Sequence, residues 1–231
     1  SMPRKPDCSH SGKGRKCTAS SSPASRLAAV AKAPFRTSGR RAGQRFDAQH
    51  GVTTEGLIFL STLDPDLIGP AIEFATHYEP TPIAEAERLL AEIPEPLEET
   101  TFVDLGSGMG RVVLLAARRP FKTAVGVELS PTLHEVARDN FTRYGGEDLR
   151  CRDVRFVRAD ASEYRFPRGK LAVYLYNPFS AEIMRPVLAH LTEQRREITL
   201  LYHTPAEREL IEATGAFRIV SDFGYGVVYR G

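Results

Sequence analysis

The 231-residue sequence predicts an α/β fold: a mostly parallel sheet with an antiparallel closing hairpin and helices on both faces. Three observations predict it. Short apolar runs rich in β-branched and aromatic residues recur at 102–105, 123–127, 154–158, 171–176 and 197–203, alternating with helical stretches. The first run leads through Asp104-Leu105-Gly106-Ser107-Gly108-Met109-Gly110 into Arg111-Val112-Val113-Leu114-Leu115-Ala116-Ala117, a strand, a glycine-rich turn and a helix start. The chain closes on Phe217-Arg218-Ile219-Val220 and Tyr225-Gly226-Val227-Val228-Tyr229, joined by a short turn, and a hairpin is antiparallel.

Residues 1–45 hold 11 Lys and Arg against one Asp, a balance of +10 that leaves −8 for the rest of the chain. Their Ser, Gly, Pro and Ala content predicts a disordered tail. An arm for nucleic acid and a targeting peptide are the functional alternatives. The acidic remainder offers no basic footprint, so nucleic acid is a partner through the tail only. Composition elsewhere is that of an ordinary globular protein, and no apolar run approaches the ~20 residues that cross a bilayer. Cys8, Cys17 and Cys151 have no metal-ligand spacing and leave an odd thiol, so neither a metal site nor a disulfide framework is expected. Reducing, cytoplasmic surroundings suit them.

Residues 46–96 read as a cap segment. They contain Thr53-Thr54-Glu55-Gly56, the apolar Leu57-Ile58-Phe59-Leu60, and His77-Tyr78-Glu79-Pro80-Thr81-Pro82. Thr81 is placed to cap a helix whose Ile83, Ala86, Leu89, Leu90 and Ile93 share one face, and Pro94 and Pro96 end it. Residues 97–231 form the main domain. In its glycine turn the spacing is D-x-G-x-G-x-G. Arg111 stands where the third glycine of the dinucleotide fingerprint would be, which argues against a nicotinamide-dependent oxidoreductase. Thr123-Ala124-Val125-Gly126-Val127-Glu128 ends in a carboxylate 24 residues after Asp104, near the ~20-residue offset at which an acidic side chain reaches ribose hydroxyls. Ser130 and Pro131 then mark a helix entry. The strand Val154–Arg158 delivers Asp160, either a ligand acceptor or a turn residue. Leu171–Tyr176 ends in Asn177-Pro178-Phe179-Ser180, with Ser180 capping a helix to about Arg195. After the strand 197–203, Thr204-Pro205-Ala206-Glu207 reads as a capping box for a helix to about Thr214.

The stretch from Asp104 to Gly110 resembles the first motif of the class I S-adenosylmethionine-dependent methyltransferases. Together with T-T-E-G, H-Y-E-P-T-P, G-V-E-L-S-P and Y-N-P-F it is similar to a sparsely characterised bacterial group of these enzymes, with some likeness to protein-lysine methyltransferases. The resemblance implies a Rossmann-like seven-stranded sheet and S-adenosylmethionine as cofactor. It places the glycine loop under the methionine and ribose, Asp104 at the methionine amino group, Glu128 at the ribose hydroxyls, and Asp160 and the Ala161 amide at the adenine. The implied cofactor residues are Asp104, Gly106, Ser107, Gly108, Gly110, Arg111, Glu128, Leu129, Asp160, Ala161 and Asn177.

Methyl transfer from a sulfonium is an in-line displacement, so placement of the acceptor lone pair matters more than acid–base power. Asn177-Pro178-Phe179 is similar to the Asn/Asp-Pro-Pro-Tyr/Phe motif of amino-group methyltransferases, short of it by one proline. Asn177, Phe179 and Tyr78 are therefore the candidate catalytic residues, against turn-forming, core packing and helix entry as their structural alternatives. His77 and His203 are candidate bases. The expected function is nitrogen methylation, of a protein lysine or another amino group. The rival is a catalytically silent S-adenosylmethionine-binding protein with a nucleic-acid-binding arm.

Overall fold

The computed structural model describes residues 37–59, 77–176, 179–193 and 195–231. The cap region comprises helix α1 (Thr37–His50), the two-residue strands β1 (Ile58–Phe59) and β2 (His77–Tyr78), which pair antiparallel, and helix α2 (Ile83–Leu90). The main domain follows as β3 (Thr100–Leu105), α3 (Arg111–Ala117), β4 (Thr123–Glu128), α4 (Pro131–Tyr144), β5 (Val154–Arg158) and β6 (Lys170–Tyr176). It ends with α5 (Ala181–Thr192), β7 (Ile198–His203), α6 (Arg208–Ala213), β8 (Arg218–Asp222) and β9 (Gly226–Arg230).

The seven-stranded sheet has the order β5-β4-β3-β6-β7-β9-β8. Strands β3 to β7 are parallel, and β9 runs antiparallel to both β7 and β8. The chain steps outward from β3 to β5, then returns to lay β6 on the other side of β3. That reversal opens a crevice beyond the carboxyl ends of β3 and β6, where open α/β sheets hold ligands.

Period-two alternation sorts the strand side chains into two apolar layers. Phe102, Tyr174, Leu201 and Val228 face α2 and α3 on one side. Val103, Leu175, Leu200 and Tyr202 face α5 and Ile211 of α6 on the other. Every residue of α3 is buried, Arg111 included. The edge strands differ from the centre: β5 and β8 expose Arg155, Arg158 and Arg218, and charges on an edge discourage pairing with another chain.

Four local expectations are corrected. Residues 37–45, expected in a disordered tail, belong to α1. Phe46 packs at a tilt against His50 and Tyr144 there, and Asp47 accepts hydrogen bonds from Thr54 and Glu55, so tertiary contacts override a weak helical sequence. Thr81 makes no cap. Pro82 precedes α2, while the Thr81 hydroxyl and carbonyl are engaged by Tyr174 and Arg111. Ser180 stands at the N-cap of α5 without a side-chain cap bond, and the helix stops at Thr192. The capping box at Thr204 does not form, because its hydroxyl pairs with His203 instead and α6 begins only at Arg208. Ser130 does cap α4, accepting from Leu133 N at 3.1 Å, with Pro131 in the first turn.

Candidate active site

The glycine turn follows β3 and is tied to β4. The Gly106 and Ser107 amides donate to the Val127 carbonyl at 2.8 and 3.0 Å, and the Gly110 amide donates to Ser107 O at 2.8 Å. Glu128 closes the corner: Oε2 accepts from Gly108 N and Oε1 from Ser130 N, both at 2.8 Å. One carboxylate thus holds the turn and the start of α4 in a fixed relation. Gly108 has φ +53°, and a Cβ there would collide with the ring of Tyr78, so this position suits only glycine. Among the described residues Ser107 Oγ, which is buried, has no hydrogen-bond partner.

Asp104 lies in the middle of the sheet, 3% exposed, paired in register with Gly126 and Tyr174. Burial, and next the Glu128 carboxylate, push its pKa well above the ordinary carboxylate range. Among the described residues no donor hydrogen-bonds to its carboxylate. A buried anion without a partner is costly, and a cation beside it would relieve the cost. Asp104 and the bare turn therefore fit a ligand that carries an ammonium and presses against backbone.

The cap region folds over this turn. Arg111, 2% exposed, donates from Nε to Thr54 Oγ1 at 2.8 Å, from Nη1 to Thr81 O at 3.2 Å and from Nη2 to Glu55 Oε2 at 2.7 Å. Its guanidinium is thus committed to the cap segment, leaving only its backbone toward the turn. Asp47 takes the Thr54 amide and hydroxyl at 2.7 and 2.6 Å and the Glu55 amide at 2.8 Å. Asn140 brackets Thr53 through both amide atoms, at 2.8 and 2.7 Å, and also donates to Met109 O at 3.0 Å. Tyr78 donates to Thr54 O at 2.7 Å, and burial raises its phenol pKa.

Other candidates are placed as follows. Asp160 Oδ1 accepts from the Ser162 amide and hydroxyl at 2.8 and 2.7 Å, a turn-forming role that does not preclude a further acceptor role for the carboxylate. Ala161 is buried and Leu129 half-buried beside it and Glu128 respectively in sequence. Phe179 is half-buried against the layer of Val103 and Leu175, matching the packing alternative. Asn177 lies outside the described residues, as do Cys8 and Cys17, and nothing is described of the His77 side chain. Among the described residues no cluster of His, Cys, Asp and Glu could hold a metal ion, and no helix is long and apolar enough to cross a membrane.

A second polar group stands at the carboxyl ends of β6 and β7. His203 Nε2 lies 2.7 Å from Glu85 Oε2 and Nδ1 lies 3.0 Å from Thr204 Oγ1. Burial holds the imidazole below its ordinary pKa against the opposing pull of Glu85. Tyr176 packs edge-on to His203 at 4.7 Å and hydrogen-bonds Glu79, and burial raises its phenol pKa. Tyr225 lies 5.7 Å from His203. Sequence reasoning missed Asp47, Asn140, Glu85 and Thr204. A buried Asn inside an amphipathic helix is the one that carried a signal, since such a residue needs partners.

A concavity of about 520 Å³ opens at the other end of the sheet, lined by Thr100, Lys170, Ile198 and Arg230. It lies at the amino ends of β3, β6 and β7, opposite the glycine turn, and strand polarity separates it from the site.

A family model described as "Methyltransferase domain" matches residues 102–197. Among solved structures, the chain is similar to an RNA methyltransferase from Salinibacter ruber in complex with S-adenosyl-L-homocysteine: 30% identity, 65% of this chain, 91% of that chain, TM-score 0.41. It is also similar to a putative RNA methyltransferase from Pyrococcus horikoshii: 20% identity, 68% of this chain, 85% of that chain, TM-score 0.50. No curated protein matches the sequence.

Proposed function

The chain belongs to the class I S-adenosylmethionine-dependent methyltransferases, and from that premise we propose that it methylates nitrogen, with a protein lysine or another amino group as acceptor. The cofactor supplies an electrophilic methyl carbon on a sulfonium. In our reading Asp104 receives the methionine ammonium, which supplies the cation that its buried carboxylate lacks. Gly106, Ser107, Gly108 and Gly110 present backbone beneath the methionine and ribose. Glu128 receives the ribose hydroxyls on lone pairs not used by Gly108 and Ser130, with Leu129 beside it. Asp160 and Ala161 meet the adenine, and Asn177 and Phe179 border the acceptor.

The observation that supports nitrogen as the acceptor is the polar and aromatic lining at the carboxyl end of β6. Glu79 and Glu85, with the rings of Tyr176, His203 and Tyr225, gather at the carboxyl ends of β6 and β7. Carboxylates and aromatic faces attract an ammonium, and an anionic acceptor would be repelled. Nucleic acid contact is confined, in this proposal, to basic residues 1–45, and the cysteine usage supports a reducing, cytoplasmic setting as part of the same proposal.

The test is methyl transfer from labelled S-adenosylmethionine to poly-L-lysine and, separately, to total RNA, with the modified atom identified by mass spectrometry. Methyl-lysine is expected. Methyl groups on RNA alone would overturn the amino-group reading.

A further inference from the structure

We propose that Thr204, His203 and Glu85 form a proton relay that takes the proton from the acceptor ammonium before methyl transfer, an inference that rests on the amino-group reading. The three groups stand in line. The Thr204 hydroxyl lies 3.0 Å from His203 Nδ1, and Nε2 on the far side of the ring lies 2.7 Å from Glu85 Oε2. The spacing matches the requirement for a base within hydrogen-bond reach of its proton donor and oriented by a third group.

Each member differs in exposure as a relay requires. Thr204 is exposed at the mouth of the crevice, His203 is buried, and Glu85 is partly exposed on α2. In register His203 pairs with Tyr176, the last residue of β6, so Thr204, the next residue along, follows the carboxyl end of β7 beside that of β6. Thr204 also has φ +48°, a left-handed conformation that a β-branched residue rarely adopts. The Thr204 amide donates to Tyr225 O at 2.7 Å, which holds the residue in this conformation. The hydroxyl that a helix cap would have used faces the imidazole instead. Strain of this kind gathers at sites where it positions a group.

The balance of the step is as follows. The acceptor R–NH3⁺ gives a proton to Thr204 Oγ as the Thr204 hydroxyl proton passes to His203 Nδ1, leaving R–NH2 and an imidazolium. The Glu85 carboxylate accepts from Nε2–H of that imidazolium. The nitrogen lone pair then forms the N–C bond as the C–S bond breaks and its electron pair goes to sulfur, giving a methylammonium and a neutral thioether. An ordinary ammonium is a weaker acid than imidazolium. The positive sulfonium beside it favours its deprotonation. The groups that face the relay are Glu85 from α2, Glu79 from the loop before it, Tyr176 from β6 and Tyr225 from the turn before β9, with Arg88 of α2 over the neighbouring Phe223 ring.

The experiment pairs kinetics with nuclear magnetic resonance on the full chain. With poly-L-lysine as acceptor, Thr204→Val should lower kcat about a hundredfold at unchanged KM, and Thr204→Ser should restore it to within about twofold. Glu85→Gln should move the acid limb of the pH–rate profile to lower pH, because the imidazolium loses its anion. Independently of turnover, ¹⁵N-histidine spectra should show His203 as the Nε2–H tautomer with Nδ1 accepting. Wild-type kcat in Thr204→Val, or an Nδ1–H tautomer, would overturn the relay. If wild type leaves poly-L-lysine unmodified while still binding S-adenosylmethionine by calorimetry, the amino-group reading fails instead, and the relay as a device for ammonium falls with it.

Discussion

Asp104 is a carboxylate surrounded by sheet, and its pKa is raised first by burial and next by Glu128. The unfolded chain ionises near pH 3.8 and the folded chain well above it, so folding takes up a proton in between. The stability linked to this group is present below pH 3.8 and is lost as pH rises toward the folded value. Asp104→Asn removes that loss. At pH 7.5 the variant should melt a few degrees higher, at about 2–4 °C per kcal/mol for a chain of this size, yet bind S-adenosylmethionine more weakly. Calorimetric scans and titrations check the two halves, and an unchanged affinity would remove Asp104 from the cofactor. Glu128 behaves differently, because Gly108 and Ser130 already use it. Glu128→Gln keeps one acceptor where two are needed. It should weaken cofactor binding about tenfold and slightly destabilise the turn, measured by the same titration. The residues at the strand ends were legible in the sequence because a glycine turn, a strand and an acidic residue are local signals. The environment that raises the Asp104 pKa was not legible, since it comes from strands and helices packed around it.

At the scale of elements, α1 and the T-T-E-G segment are held by a buried ion pair rather than by their own propensity. α1 contains Gly39 and Gly43 and three arginines, a poor helical sequence on its own. Arg111 and Glu55 are 2% and 15% exposed, and breaking such a pair leaves an uncompensated buried charge. Arg111→Met should cost about 3–5 kcal/mol in denaturant unfolding. It should also raise hydrogen exchange across Thr37–His50 and Val52–Glu55 before the rest of the domain opens. Protection unchanged in α1 would show that the helix does not depend on this tether. The helix was missed from sequence because Asp47 holds Thr54 and Glu55, and that segment is in turn tied to distant residues, Thr53 to Asn140 and Thr54 to Arg111. By contrast β4, whose periodicity and flanking signals are contiguous, has the bounds expected of it.

At the scale of the whole molecule, charge is divided between a basic N-terminal stretch and an acidic remainder. Deleting residues 1–36 should leave cofactor affinity unchanged and should remove salt-dependent nucleic-acid binding if the arm provides it. Deleting residues 1–45 should in addition lower the melting temperature, because it removes two turns of α1 with Gly43, which packs against Glu55 and Arg111. Equal melting temperatures for the two deletions would show that α1 adds nothing to the fold. The alternation of strands and helices, the antiparallel hairpin and the strand-end position of the glycine turn are readable in the amino-acid sequence, whereas the seven-stranded sheet is what the family resemblance implies. Hydrophobic period, turn residues and the right-handed crossover rule act over short stretches of chain. Tertiary structure alone decided that Glu85 meets His203 across 118 residues, that Arg111 faces the cap rather than the turn, and that Thr204 turns its hydroxyl to an imidazole. Those contacts depend on which faces pack together in three dimensions, and no local pattern of residues encodes that distance.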